Sequence, residues 1–116
     1  MERNQIMVIY GEDILSMTKR ICEAAGLAER IPKDAKIGLK PNLVVAARPE
    51  TGATTHAEIL EGCIQYLQEH GQKNITIIEG SWVGDQTSRA FKVVGYDKLS
   101  RKYNVPLFDT KYDKYE

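Results

Sequence analysis

Lys36-Ile37-Gly38-Leu39-Lys40-Pro41-Asn42-Leu43-Val44-Val45 runs into Ala46–Ala53 and then into Thr54-Thr55-His56-Ala57-Glu58. Ala35 to Lys40 reads as a strand, and Pro41 ends its pairing because proline has no backbone donor. The next thirteen or so positions hold two prolines and a glycine and show no period, and an irregular loop of that length is more often functional than a plain connector. Thr55-His56-Ala57-Glu58 fits a capping box, with Thr55 as N-cap and Glu58 reaching back, and so opens a helix. Strand, long loop and capped helix together place polar side chains at the carboxyl edge of a sheet, where open α/β folds carry their sites.

Upstream, Gln5–Tyr10 (Q-I-M-V-I-Y) is a nearly continuous apolar run of the kind that suits a strand covered on both faces. Gly11-Glu12-Asp13 breaks it. Ile14, Leu15, Thr18, Ile21, Cys22 and Ala25 then recur at helical spacing, and Gly26 stands where a left-handed cap is expected. Leu27–Lys33 reads as a connector, since Pro32 forbids helix. Downstream, the helix after Thr55 buries Ile59, Leu60, Cys63, Ile64 and Leu67. Gly62 within it costs about 1 kcal/mol against alanine, which points to close packing there. Gly71 ends that helix. Asn74–Glu79 (N-I-T-I-I-E) reads as a third strand, with Gly80–Gly84 as the turn leaving it. Thr87–Val94 and Tyr96–Tyr103 read as two helices parted by Gly95, and Val105–Asp109 as a fourth strand. The tail from Thr110 alternates charge and tyrosine without an apolar face.

The repeated βα order predicts an α/β fold: a mostly parallel four-stranded sheet, doubly wound with helices on both faces and Rossmann-like in outline. The 116 residues read as a single α/β domain. No helix follows the fourth strand to cover it, so the chain is expected to be the N-terminal part of a longer parent or to expose an edge strand that self-associates.

Composition narrows the function classes. Sixteen basic and sixteen acidic residues cancel, which argues against a broad nucleic-acid surface. No apolar run approaches the roughly 18–20 residues of a membrane span. With no secretory signal pattern and only two cysteines, Cys22 and Cys63, outside any C-x-x-C pair, a cytoplasmic protein is expected. Both cysteines lie on apolar helix faces and read as buried, inert thiols.

Parallel strands align their carboxyl ends, which here carry Lys40, Asn42, Glu79, Ser81 and Asp109. Lys40 and Asn42 suit the oxygens of a small anionic ligand. Glu79 and Asp109 suit a hard divalent cation such as Mg²⁺, or proton transfer. The helix amino end at Thr54, Thr55 and His56 offers backbone N–H groups to an anion, although capping alone accounts for Thr55 and Glu58. His56-x-Glu58 lacks the P-C-x-x-C partner of a zinc deaminase. Gly80–Gly84 is neither G-x-G-x-x-G nor a P-loop, so dinucleotide binding has no motif support. Trp82 in that turn reads either as a stacking ring or as a cover for the sheet end. Tyr103, Tyr112 and Tyr115 read as surface or interface residues.

K-I-G-L-K-P-N-L (36–43), G-A-T-T-H-A-E-I-L (52–60), I-I-E-G-S (77–81) and the V-G-Y…Y-N-V-P-L-F-D region (94–109) together resemble the family catalogued as domain of unknown function 362, from the first strand to the fourth. The resemblance implies a bacterial or archaeal α/β domain longer than this chain, often joined to a ferredoxin-like module with cysteine repeats. This chain has no such repeat, so no iron–sulfur cluster is assigned to its residues. The family brings no established activity, and Lys40–Asn42 and Thr54–His56 stand as its hallmarks without roles.

Two functions follow as expectations. The first is a site at the strand carboxyl ends for a small anion, a divalent cation or both. The second is a non-catalytic docking or scaffold module for an iron–sulfur redox partner or for the rest of a longer chain. An exposed apolar patch around Trp82 or the fourth strand would favour the second.

Overall fold

The computed structural model describes residues 2–114; Tyr115 lies outside them. The chain divides into two compact units: residues up to Ala35 together with Glu58–Asn74, and Lys36–Ala57 together with Ile75 onward.

The first unit is helical. Helix α1 spans Ile14–Ala24, and Asp13 caps it by accepting the Ser16 N–H at 3.0 Å. Gly26 is left-handed, with φ of 61°, so the chain turns out of α1 as expected. Leu27–Arg30 then forms one further helical turn, α2, where a plain connector was expected. Helix α3, Ala57–Glu69, supplies the remaining wall, with Leu60, Gly62, Ile64, Tyr66 and Leu67 buried. Gly62 is there for proximity: a Cβ on it would stand 2.7 Å from Thr18 Cβ and 2.9 Å from the Leu15 carbonyl oxygen. Across the same pair of helices Lys19 Nζ meets Glu69 Oε1 at 2.6 Å, and from α3 the Tyr66 hydroxyl accepts the N–H of Ala28 in α2 at 3.1 Å.

The second unit holds the sheet. Strands β1 (Ile37–Leu39), β2 (Ile75–Glu79) and β3 (Leu107–Asp109) are parallel and lie in that order, so β2 is central. Ile37 pairs with Ile75, Leu39 with Ile77, Ile77 with Leu107 and Glu79 with Asp109. Pro106 is tolerated beside β2 because its carbonyl is the group used: it accepts the Ile77 N–H at 2.8 Å. Helices α4 (Thr87–Val94) and α5 (Tyr96–Tyr103) fall where their periodicity put them, parted by left-handed Gly95 with φ of 83°. They bury Phe91, Val94, Tyr96 and Leu99.

Two expectations are corrected. The sheet has three strands among the described residues, not four, because Gln5–Tyr10 forms no strand. A strand needs a partner ladder for its N–H and C=O groups, and this run lies along α1 instead. Met7, Val8 and Ile9 share a hollow of about 450 Å³ with Ile21 and Ala24, while Ile6, Val8 and Tyr10 stay exposed. The second correction concerns Thr55 as N-cap. Helix α3 starts at Ala57, two residues on, and Thr55 Oγ1 instead accepts the Asn42 N–H at 2.9 Å.

Candidate functional site

The carboxyl ends of β1 and β2 hold a small hollow of about 210 Å³, lined by Lys40, Asn42, Glu79, Gly80, Ser81 and Trp82 among others. Four of the side chains picked from the sequence meet here. Lys40 leaves β1 and Glu79 ends β2, and neighbouring parallel strands bring them together: Lys40 Nζ donates to Glu79 Oε2 at 2.9 Å. The pair is lopsided. The Glu79 side chain is 8% exposed and the Lys40 side chain 64%. The other oxygen of Glu79 accepts the Gly80 N–H at 2.8 Å, so each carboxylate oxygen has a partner and the exposed ammonium is held on the rim.

The hollow's wall is the turn after β2. Ser81 is buried. Its N–H reaches Thr87 Oγ1 at 3.0 Å, and its hydroxyl donates to the Asp85 carbonyl at 3.1 Å. Lys111 clasps the turn from outside: Nζ donates to Ser81 Oγ at 2.9 Å, to the Trp82 carbonyl at 3.1 Å and to the Asp85 carbonyl at 2.7 Å. The loop after β1 is tied to the same turn. The Trp82 N–H meets the Val44 carbonyl at 2.7 Å, and Asp85 Oδ2 accepts the Ala46 N–H at 2.8 Å. That bond and the one from the Gln86 N–H, with Arg89 and Lys111 nearby, hold the Asp85 carboxyl below its ordinary value. The Trp82 ring lies against Gly84, where a Cβ has no room.

Of the four side chains that meet at the hollow, Asn42 is exposed and braces its own loop, with Nδ2 donating to the Ala53 carbonyl at 3.2 Å. The other sequence candidates go elsewhere. Thr54 is buried, and its hydroxyl donates to the Ala47 carbonyl at 3.0 Å. The Thr55 carbonyl accepts the Tyr96 hydroxyl at 2.6 Å. Burial first, and the Glu79 charge in addition, push that phenol well above its usual range, so it stays a donor. Thr54, Thr55 and His56 are not among the residues lining this hollow. Asp109 is the register partner of Glu79, yet its side chain caps the turn at Thr110–Tyr112, accepting the Lys111 N–H at 3.0 Å. It lines a different, larger hollow of about 610 Å³ with Phe91, Asp97 and Tyr112. Among the described residues no group of three or more His, Cys, Asp or Glu side chains is arranged to hold a metal ion.

Sequence reasoning passed over Lys111, Asp85 and Thr87. Lys111 sits in a charged tail without periodicity, and nothing short of three dimensions points its ammonium at three acceptors some thirty positions upstream. Among the described residues no helix is long and apolar enough to cross a membrane.

Fold and hollow together define an α/β protein with a parallel sheet whose polar groups gather at the strand carboxyl ends. Residues 37–116 match the model of the family described as Domain of unknown function (DUF362), and the chain belongs to that family. The match begins at β1, so α1 and the run before it lie outside it, short of the resemblance read from the first apolar run onward. No curated protein and no solved structure matches the chain.

Proposed function

We propose that the second unit binds a small molecule through an anionic oxygen group, carboxylate or phosphate, received by Lys40 at the carboxyl ends of β1 and β2. The observation that carries this reading is the Lys40–Glu79 pair. A buried carboxylate, with a partner on each oxygen, holds an exposed ammonium in one place, which lowers the entropy a ligand must remove from that side chain. Two N–H bonds of the ammonium remain for the ligand, and the Trp82 ring at the mouth offers a face to an apolar or aromatic portion. In this reading Glu79 is a positioning residue, and the ammonium already occupies the place where a cation would approach it.

A thermal-shift series tests it, with phosphate, small carboxylates, nucleotides and Mg²⁺ added singly to the chain, to Lys40→Ala and to Glu79→Gln. An anion at a hundred times its Kd adds about 2.7 kcal/mol, a rise of several degrees for a chain of this size. The rise is expected with anions and is expected to vanish in Lys40→Ala. A rise with Mg²⁺ alone would reassign the site to a cation held by Glu79.

A second reading draws on a separate observation. Val44, Trp82 and Val83 are exposed on two loops joined by a backbone hydrogen bond, an apolar patch suited to docking a protein partner of the redox kind that the family resemblance suggests. Titration with a ferredoxin-type protein distinguishes it: binding lost in Trp82→Ala but kept in Lys40→Ala favours the patch.

A further inference from the structure

Three oxygens of the turn after β2 converge on one point. Ser81 Oγ, the Trp82 carbonyl and the Asp85 carbonyl lie 2.9, 3.1 and 2.7 Å from Lys111 Nζ. None of the three belongs to a carboxylate, because the Asp85 side chain is turned to the N–H groups of Ala46 and Gln86. Oxygens gathered so closely repel one another unless a positive charge stands among them. An ammonium has three N–H bonds to give, and here each finds an acceptor, although residue 111 itself is exposed. The tail is seated to deliver it. Asp109 Oδ1 accepts the Lys111 N–H at 3.0 Å, and Gly80 makes room for the neighbouring residue: a Cβ on Gly80 would stand 2.6 Å from Thr110 Oγ1.

We propose that residues 81–85 form a binding site for a monovalent cation and that Lys111 is its tethered occupant. One hydroxyl and two carbonyls suit a singly charged ion of the ammonium or potassium class, whose water shell such oxygens replace. Magnesium and calcium take carboxylates and sit closer, at about 2.0–2.6 Å. The tether keeps the charge at high local concentration, so the turn draws no ion from solution. The same turn brings Ser81 and Trp82 to the wall of the smaller hollow, and the charge at residue 111 therefore holds that wall in place. This holds whatever the hollow receives.

The test replaces Lys111 by Met, which keeps an apolar stem and removes the charge. Amide exchange is followed at Trp82 and Asp85, whose N–H groups bond to the Val44 and Trp82 carbonyls, and is expressed relative to Ile77 of β2. In choline chloride Lys111→Met is expected to exchange at least about fivefold faster than the wild type at both amides. Ammonium or potassium chloride at the same ionic strength is expected to return both rates towards those of the wild type, and lithium chloride is not. Packing of the stem alone would give no such selectivity. Equal rates for variant and wild type in choline would overturn the proposal, as would equal rates for the variant in all four salts. A second measurement uses the native chain. Graded acetylation is expected to label Lys111 at least about tenfold more slowly than the exposed Lys73 and Lys98, because its nitrogen must first leave three acceptors. Labelling as fast as at those two lysines would also overturn it.

Discussion

Two apolar runs of similar length, Gln5–Tyr10 and Ile75–Glu79, meet opposite fates. The second is the central strand, with a parallel neighbour on each side, and Ile77 is 0% exposed. The first pairs with no strand, and Ile6 is 90% exposed. Hydropathy alone hardly separates them. What separates them is whether the backbone finds a ladder on both sides. Ile75–Glu79 also alternates buried and half-buried residues along its length, as a strand flanked on both edges should.

The largest way to strain this contrast is Ile77→Ala. Removing a fully enclosed side chain is expected to cost about 3 kcal/mol in urea denaturation, with the m-value unchanged. A loss under about 1 kcal/mol would mean that β2 is no core strand. Next comes Lys40→Ala, which leaves the Glu79 carboxylate at the end of β2 buried without its cation. About 1–2 kcal/mol is expected, between the values typical of exposed and of buried pairs, and Lys40→Arg should recover part of it. A neutral result would detach the rim from the strand's stability.

The acid side sharpens the comparison further. Asp85 fastens the loop after β1 to the turn after β2, and its folded pKa lies below the ordinary value of 3.8. A depressed carboxylate contributes stability above its unfolded pKa and loses it as pH falls through the lower folded value. Thermal midpoints of the wild type should therefore drop below about pH 4, and Asp85→Asn should show a smaller drop over the same interval. The smallest effect is expected at the unpaired run. Ile6→Ala and Val8→Ala should each change stability by less than about 0.5 kcal/mol, and amide exchange should be fast there and slow at Ile77. A loss of 2 kcal/mol at either residue would show that the run is held by something beyond the described contacts.

What could be read beforehand was what chain-local chemistry decides. Gly26, Gly71 and Gly95 mark left-handed exits that L side chains avoid, and the helices at Thr87–Val94 and Tyr96–Tyr103 begin and end where their apolar period does. The meeting of Lys40 with Glu79 followed from parallel strands sharing an end. Long-range arrangement was not legible. Thr55 looked like a cap because Glu58 follows it, but the backbone of Asn42 reaches its hydroxyl first. Asp109 looked like a partner of Glu79 because both stand at the carboxyl ends of strands, yet a turn three residues long claims its oxygen. Nothing in a list of residues tells which of two available donors arrives closer.

Trp82 has an optical consequence. It is the chain's only indole, it lies against Gly84, and at 61% exposure it stands at the mouth of the hollow that Lys40 and Glu79 build. All tryptophan emission from this protein therefore originates within a few ångströms of the candidate site. A ligand that displaces water from that mouth would shift the emission towards the blue, and an iodide quencher would lose access to the ring. The molecule carries its own fluorescent reporter there, and binding can be followed without a label or an assay for any reaction.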